Sequence, residues 1–401
     1  MSLFRTEQLE LGSIATRNSA PPSPWTSGSV LLTGATGLLG SALLESILTS
    51  SAATVVCLVR GSSDVDSEAR LRAEAARRRI EVDWTRVEVI CGDLAATHLG
   101  LDEGRLSALA ERFDLILHAG AEVAWFGNLG LIATTNLNSL RTMAALAGRG
   151  RPKRIAFVSS CSVYNADAYA NAESVGEDPI AADPRGLRSP YVQSKWAGER
   201  LCGAISDRGM ATSIFRVPYL FPHSRHPLPN PAGAVDLLLD ASIRLGVAPE
   251  EGPTLPICPA DRCARWMVRI LAAVRAPRSI HNVVPFESLP WSALVAAARR
   301  EGLIGESMPS AAWFELAREA SRAQRELRAV VTLLSHDPTR TLWSRSNICR
   351  VRLDDASTRV MVPGLEALQR LDEPYLRRVV RVIVEAIGDG ESPSDQARPP
   401  E

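Results

Sequence analysis

A strand that runs directly into three glycines at three-residue spacing leaves a chain few folds to adopt. Here Ser29-Val-Leu-Leu-Thr33 is an apolar run, Gly34-Ala-Thr-Gly37-Leu-Leu-Gly40 follows it, and a helical pattern continues through Leu48. In such a strand–turn–helix, Gly34 permits the tight turn, Gly37 lets the backbone approach a pyrophosphate, and Gly40 lets the helix pack close to the sheet. The helix start then offers N–H groups to phosphate. The motif alone is weak, but the strand before it and the helix after it are the context that supports it. Thr33, Gly34, Thr36, Gly37, Leu38 and Leu39 are therefore the candidate cofactor contacts of this loop.

The rest of the chain repeats the alternation. Strands are expected at Thr54–Val59, Val87–Cys91, Leu115–His118, Arg154–Ser159 and Ala211–Arg216, and helices at Ser67–Ile80, Asn136–Ala147 and Tyr191–Ser206. Strands alternating with helices predict an α/β fold, a doubly wound parallel sheet covered on both faces, with a smaller, mainly helical C-terminal lobe. The expected division is a flexible lead-in over 1–28, a Rossmann domain over 29–284 with a substrate-lobe insertion at about 218–255, a helical lobe over 285–388, and a disordered tail over 389–401. Pro218–Pro231 holds five prolines and reads as loop.

The end of the second strand selects the dinucleotide. An NAD-binding sheet places a carboxylate there to hold the ribose diol. Cys57-Leu-Val-Arg60-Gly-Ser-Ser63 has none. Arg60 stands where it would meet a 2′-phosphate, and Arg70 or Arg72 would add a second cation. NADPH is the expected cofactor. Asp93, with Leu94 after it, follows the third strand and is placed to contact the adenine.

Tyr191-Val-Gln-Ser-Lys195 sets a phenol and an ammonium four residues apart, on one face of a helix. A phenol with a pKa near 10 is a poor acid–base at neutral pH, and a nearby cation is expected to lower it. The same lysine can hold the nicotinamide ribose. With five Tyr and two Lys in 401 residues, the spacing arises by chance about one time in forty. Lys153 and Lys195 are the only lysines; the rest of the 45 basic residues are arginine. That suggests a role at Lys195 that arginine cannot fill. Phe157-Val-Ser-Ser-Cys-Ser-Val-Tyr164 supplies hydroxyls at Ser159, Ser160 and Ser162, one of which would hydrogen-bond a substrate carbonyl. Ser159 and Ser162 read as turn-capping hydroxyls.

Composition narrows the class further. The formal net charge is zero, so no global pull toward nucleic acid or a membrane surface follows. No stretch is long and apolar enough to span a membrane, and residues 1–28 lack the apolar core of a signal peptide. The seven cysteines form no Cys-x-x-Cys pair and do not cluster with the six histidines. Reduced thiols, a cytoplasmic setting and no metal site are expected.

Together these stretches resemble the extended short-chain dehydrogenases, and more narrowly the thioester reductase domains of nonribosomal peptide and polyketide synthases and of carboxylic acid reductases. The likeness runs through Val30–Gly40, Cys57–Arg60 with Ala69-Arg70-Leu71, Val87–Leu94 and His118–Val123. It continues through Asn136, Arg151–Arg154 and Tyr191–Leu201 to Pro259-Ala-Asp261 and Ile280–Val283. It implies that Ser160, four residues before Tyr164, joins Tyr191 and Lys195 in the catalytic set. It also implies that Ala119, Gly120, Ala121, Val217 and Pro218 line the cofactor. The reaction it implies is hydride transfer from NADPH to a thioester carried on the phosphopantetheine of an acyl or peptidyl carrier protein, releasing an aldehyde or, after a second reduction, an alcohol.

The chain departs from that family near the substrate mouth. Asn-Gly-Ala becomes His118-Ala119-Gly120-Ala121, Ala124 replaces an Asn, Arg216-Val217-Pro218 replaces Arg-Pro-Gly, and Pro222-His-Ser224 replaces Gly-His-Ser. No carrier or adenylation segment precedes residue 29, so action in trans is expected. The alternatives weighed are an extended dehydrogenase or epimerase acting on a nucleotide sugar or small carbonyl, a redox-silent NADP-binding regulator, and a non-redox release enzyme. The intact Ser160/Tyr191/Lys195 set argues against the last two. A carrier-docking face is expected on two C-terminal helices. One is Ala312–Arg328, with Trp313, Leu316, Ala320 and Leu327 inward and Arg318, Arg322 and Arg325 as a basic stripe. The other is Asp372–Ile387.

Overall fold

The expected alternation becomes a seven-stranded, all-parallel sheet. The computed structural model describes residues 25–123, 129–228, 230, 233–335, 348–349, 351–365, 367 and 369–388. Most of the expected lead-in, Ala124 and the tail over 389–401 lie outside these residues. The strands are β1 (Ser29–Thr33), β2 (Thr54–Val59), β3 (Val87–Cys91), β4 (Leu115–His118), β5 (Arg154–Ser160), β6 (Ala211–Val217) and β7 (Arg278–Asn282). Their spatial order is β7-β6-β5-β4-β1-β2-β3. The order reverses between β1 and β4, and a cleft at such a switch point is where open α/β sheets bind ligands.

The helices are α1 (Leu38–Ser50), α2 (Asp64–Arg77), α3 (Glu103–Ala110), α4 (Leu129–Ala147), α5 (Pro190–Asp207), α6 (Ala234–Leu245) and α7 (Ala260–Ala273). Then come α8 (Trp291–Arg300), α9 (Ser310–Ala320), α10 (Leu327–Ser335), α11 (Ala356–Met361) and α12 (Glu373–Gly388). Successive strand side chains point to opposite faces. Val30 and Leu32 of β1 pack on Leu43 and Ile47 of α1 and on Met267 and Ile270 of α7. Leu31 points the other way, toward Leu140 and Met143 of α4 and Leu201 and Ile205 of α5. Both sheet faces are thus buried, which is why the strands read as unbroken apolar runs. A third core joins α6, α8, α9, α10 and α12 around Leu238, Leu294, Trp313, Val330 and Val379, against Val192 and Trp196 of α5.

Several elements differ from the sequence reading. α2 begins three residues early because the Ser63 side chain accepts from Asp66 N–H and caps it. α4 begins at Leu129, not Asn136. The Pro-rich stretch holds a short strand, Tyr219–Phe221, paired in parallel with Ile257–Pro259. The single helix expected over Ala312–Arg328 is two helices, α9 and α10, with turns between them. Arg322 and Arg325 lie in those turns, so the basic stripe does not form. Each arginine is also matched by a neighbouring carboxylate: Arg318 with Glu315, Arg322 with Glu319, Arg325 with Glu326. Leu316, expected inward, is exposed. Among the described residues, no helix is long and apolar enough to cross a membrane, and no cluster of His, Cys, Asp and Glu could hold a metal ion.

Candidate active site

At the switch point two backbone segments touch. Gly34 leaves β1 at φ +77°, in the left-handed region, and a Cβ there would sit 2.7 Å from the Cα of Gly120. A Cβ on Gly40 would lie 1.9 Å from the Gly34 carbonyl oxygen. The third glycine therefore lets α1 close onto its own turn, rather than onto the sheet as the sequence reading has it. No side chain caps the first turn of α1, so its N–H groups face the cleft for an anion. Gly40→Ala is expected to lower stability by about 1–3 kcal/mol, because the turn must open to admit the methyl. A melting curve, with NADPH affinity measured alongside, checks this; an unchanged Tm would contradict the close approach.

Thr33 does not line the cleft. Its side chain is fully buried; the hydroxyl accepts from Gly120 N–H at 3.0 Å and lies 2.8 Å from Nδ1 of His118. Thr33 is thus the peg that joins the β1 and β4 loops. Burial, aided by the Lys195 charge, pushes the His118 pKa down to about 3. Burial therefore favours the neutral imidazole.

The cleft above has a volume of about 450 Å³. Apart from Arg72 and Ser159, the other candidate residues line it: Gly34, Thr36, Gly37, Leu38 and Leu39 from the loop, Arg60 and Arg70, Asp93 and Leu94, Ala119 to Ala121, Ser160, Tyr191, Lys195, Val217 and Pro218. The Nη1 of Arg70 donates to the Arg60 carbonyl at 3.3 Å, so the Arg70 side chain reaches the end of β2, and both residues line the cleft. Arg72 does not join them; it pairs with Glu68 and stacks over Trp84 at 4.1 Å. Arg78, overlooked in the sequence, lies behind the loop with Nη2 3.5 Å from the Thr36 carbonyl. Its position after the end of α2 gives no local signal for that contact. The glycine cradle, the uncapped helix start and the paired arginines fit a phosphorylated dinucleotide.

Ser160, Tyr191 and Lys195 all line this cleft. Pro190 occupies the first position of α5, where its missing N–H costs nothing. The Lys195 amine donates to the Val158 carbonyl at 2.7 Å and lies 5.5 Å from the Tyr191 ring centre. Burial lowers the Lys195 pKa to about 8. Burial also pushes the Tyr191 phenol above its ordinary value, the reverse of the expected direction. Desolvation of the phenolate sets that direction, and Cys161 beside it adds to it. The hydroxyl roles also differ from expectation. Ser160 is the turn cap, accepting from Ser162 N–H at 3.2 Å; that leaves its own proton to donate into the cleft. Ser159 is fully buried and donates to Glu199 at 2.5 Å. Ser162 lines the cleft. Asn136 ties the site together: its amide donates to Ser194 Oγ at 2.8 Å and accepts from Glu122 N–H at 2.8 Å.

A family model described as Male sterility protein, an NAD-binding family, matches residues 32–267, well over half of the chain. The chain belongs to that family. Among its curated relatives, a linear gramicidin synthase of Brevibacillus parabrevis is 28% identical over 294 residues, 73% of this chain and 6% of that protein. The L-2-aminoadipate reductase of Penicillium chrysogenum is 32% identical over 268 residues of its large chain, 63% of this chain and 19% of that one. This member of the Male sterility protein family therefore spans less than a fifth of the length of those relatives. Among solved structures, the terminal R domain from the myxalamid PKS-NRPS biosynthetic pathway superposes with a TM-score of 0.83 at 25% identity, over 94% of this chain and 95% of that one. A thiolation-reductase di-domain from an archaeal non-ribosomal peptide synthetase superposes with a TM-score of 0.70 at 18% identity, over 94% of this chain and 80% of that one. The chain has the extended short-chain-dehydrogenase fold of those reductase domains.

Proposed function

We propose that the chain is an NADPH-dependent, cytoplasmic reductase of acyl or peptidyl thioesters held on a carrier protein, releasing an aldehyde. The observation that carries this reading is that one cleft is lined by Ser160, Tyr191 and Lys195 and also by Arg60 and Arg70, with no carboxylate from β2. The names of the relatives, peptide synthases and an aminoadipate reductase, agree with it, as does the di-domain in which a thiolation unit accompanies the reductase. In this reading residues 29–284 bind the cofactor and 285–388 shape the substrate end.

NADPH would lie along Gly34–Leu39 with its 2′-phosphate toward Arg60 and Arg70, and would supply the hydride. The Ser160 hydroxyl donates to the thioester oxygen and polarises the carbonyl. Tyr191 protonates that oxygen as charge develops. The resulting hemithioacetal expels the carrier thiol and leaves the aldehyde. Lys195 orients the ribose and offsets charge at the phenol.

The test is NADPH oxidation with a carrier-bound acyl thioester, with a free small aldehyde and a nucleotide sugar as comparisons. Turnover on the sugar alone would overturn the proposal. A second experiment addresses the cofactor. Losing one charge-assisted phosphate contact costs on the order of 1.5–3 kcal/mol. Arg60→Ala is therefore expected to raise the KM for NADPH about tenfold or more, leaving that for NADH nearly unchanged. A wild-type enzyme that uses NADH equally well would refute the assignment.

A further inference from the structure

Beneath the catalytic floor lies an ion pair sealed from water. Glu199 and Arg216 have side chains 1% and 0% exposed. The guanidinium reaches both carboxylate oxygens, with Nη2 at 2.7 Å and Nε at 3.1 Å from each. Its remaining N–H groups go to the Asp178 carbonyl at 2.8 Å and to the Tyr164 hydroxyl. That hydroxyl lies 2.8 Å from the Gly176 carbonyl and 3.1 Å from Asn282 Oδ1 of β7. Ser159 closes the network on Glu199.

A buried ion pair is weak evidence for stability, since apolar side chains of similar volume often do as well or better. Its placement offers another reason for it. Glu199 follows Lys195 by four residues on α5, so both side chains leave the same helix face. Together they pin the end of β5 at consecutive residues, Lys195 at the Val158 carbonyl and Glu199 at the Ser159 hydroxyl. Arg216 of β6 stands opposite Ser159 in register, and the next pair along is Ser160 with Val217, both of which line the cleft. The network therefore sits one residue below the reacting set.

It also supplies charge. The groups facing the Lys195 amine are Tyr191 and Cys202 on α5, His118 on β4, the Phe157 ring on β5 and Glu199. Burial keeps the Tyr191 and Cys202 protons on and the His118 ring neutral. Cys202 and then the Glu199 carboxylate oppose the burial that strips the proton from Lys195, and because burial holds the Cys202 proton on, Glu199 is the lasting negative charge of the two.

We propose that Glu199, clamped by Arg216, is a positioning residue: its carboxylate is the counter-charge that keeps Lys195 an ammonium, and its bonds hold β5 in place beneath Ser160. This rests on Ser160, Tyr191 and Lys195 being the reacting set.

The test is Glu199→Gln, nearly isosteric and uncharged. In the wild type, kcat on the carrier-bound thioester is expected to hold up to about pH 8 and fall above it. In Glu199→Gln that break moves down by about one pH unit, so kcat near pH 7.5 drops several-fold and largely recovers near pH 6. Glu199→Asp, which restores the carboxylate, keeps the break near its wild-type position. A uniform loss of kcat at every pH, with the break unmoved, would mean a merely structural pair and overturns the proposal. Should the glutamine variant fail to fold, the double change Glu199→Met with Arg216→Met removes both charges while keeping volume. There the Arg216 cation leaves with the carboxylate, so a smaller downward shift of the break than in Glu199→Gln is expected, and a wild-type profile overturns the proposal equally. A second readout needs no substrate: the pH at which the Tm difference between Lys195 and Lys195→Met forms begins to close. That pH should fall when Glu199→Gln is present in both, and no shift would again overturn the proposal. An inactive wild type would sink the proposed reaction, while this readout would still decide the role of Glu199.

Discussion

Tyr191→Phe is expected to lose turnover by about 10²–10⁴-fold, the usual contribution of a positioned general acid, while NADPH binds nearly as well as to the wild type. The phenol lines the cleft beside Lys195, whose amine lies 5.5 Å from its ring centre. Removing its oxygen takes away the proton donor and leaves the Gly34–Gly40 cradle and both guanidinium groups in place. Burial raises the phenol's pKa, so the proton stays on the oxygen until negative charge develops on the substrate, as a donor in the reductive direction requires. The loss should also depend on substrate. Reduction of a thioester forms a species that can expel thiolate, so proton donation matters less there. Reduction of a free aldehyde has no leaving group, and the alkoxide must be protonated. The drop is therefore expected to be larger with aldehyde than with carrier-bound thioester. NADPH consumption on both substrates, with cofactor affinity from fluorescence, measures this; full turnover in Tyr191→Phe would end the mechanism.

The parts of this site that could be read from sequence are those encoded by spacing along the chain. The three glycines, the Tyr-x-x-x-Lys pair and the arginine at the end of β2 each lie within one strand–turn–helix step. The structure brings all of them to one cleft. The parts that could not be read depend on register between distant segments. Arg216 meets Glu199 only because β5 and β6 pair with Arg216 opposite Ser159, the residue that Glu199 bonds. Ser160, and not Ser162, caps the turn because β5 runs one residue beyond the expected strand end. Thr33 is a peg and not a ligand contact because Gly120 arrives beside it from β4.

Local propensity misled in the C-terminal lobe. Residues 321–326, Ser-Arg-Ala-Gln-Arg-Glu, contain neither glycine nor proline and favour a helix on their own. The chain turns there because α10 has to bring Leu327, Val330 and Leu334 into the third core alongside Leu238 of α6. By contrast α7, absent from the sequence reading, carries a legible stripe. Cys263, Trp266, Met267 and Ile270 recur at i, i+3, i+4 and i+7, and all four pack into the core against the sheet.

Lys195→Met should separate stability from function. Lys195 is 3% exposed, and its pKa falls from 10.5 to about 8. At pH 7 the group is charged in both the folded and the unfolded chain, so folding carries a charge out of water. A depression of that size corresponds to a cost of about 3 kcal/mol at roughly 1.4 kcal/mol per tenfold change. Methionine fills a similar volume without charge, but it forfeits the hydrogen bond to the Val158 carbonyl, worth about 1 kcal/mol. The variant is therefore expected to be more stable than the wild type by about 1–2 kcal/mol at pH 7. The sign of the pH dependence follows from proton binding. Between about pH 8 and pH 10.4 the unfolded lysine still holds a proton that the folded one has released. The wild type gains stability across that window, and the advantage of the variant closes. Turnover moves the opposite way. Loss of the ammonium removes both the support of the phenol and the hold on the ribose, so kcat should fall at least as far as in Tyr191→Phe, and the KM for NADPH should rise. Paired melting curves from pH 6 to pH 10, read beside kinetics on the thioester, carry the decision. A variant less stable than the wild type at pH 7 would mean that the buried amine contributes to the fold more through its bond to β5 than it costs in lost hydration.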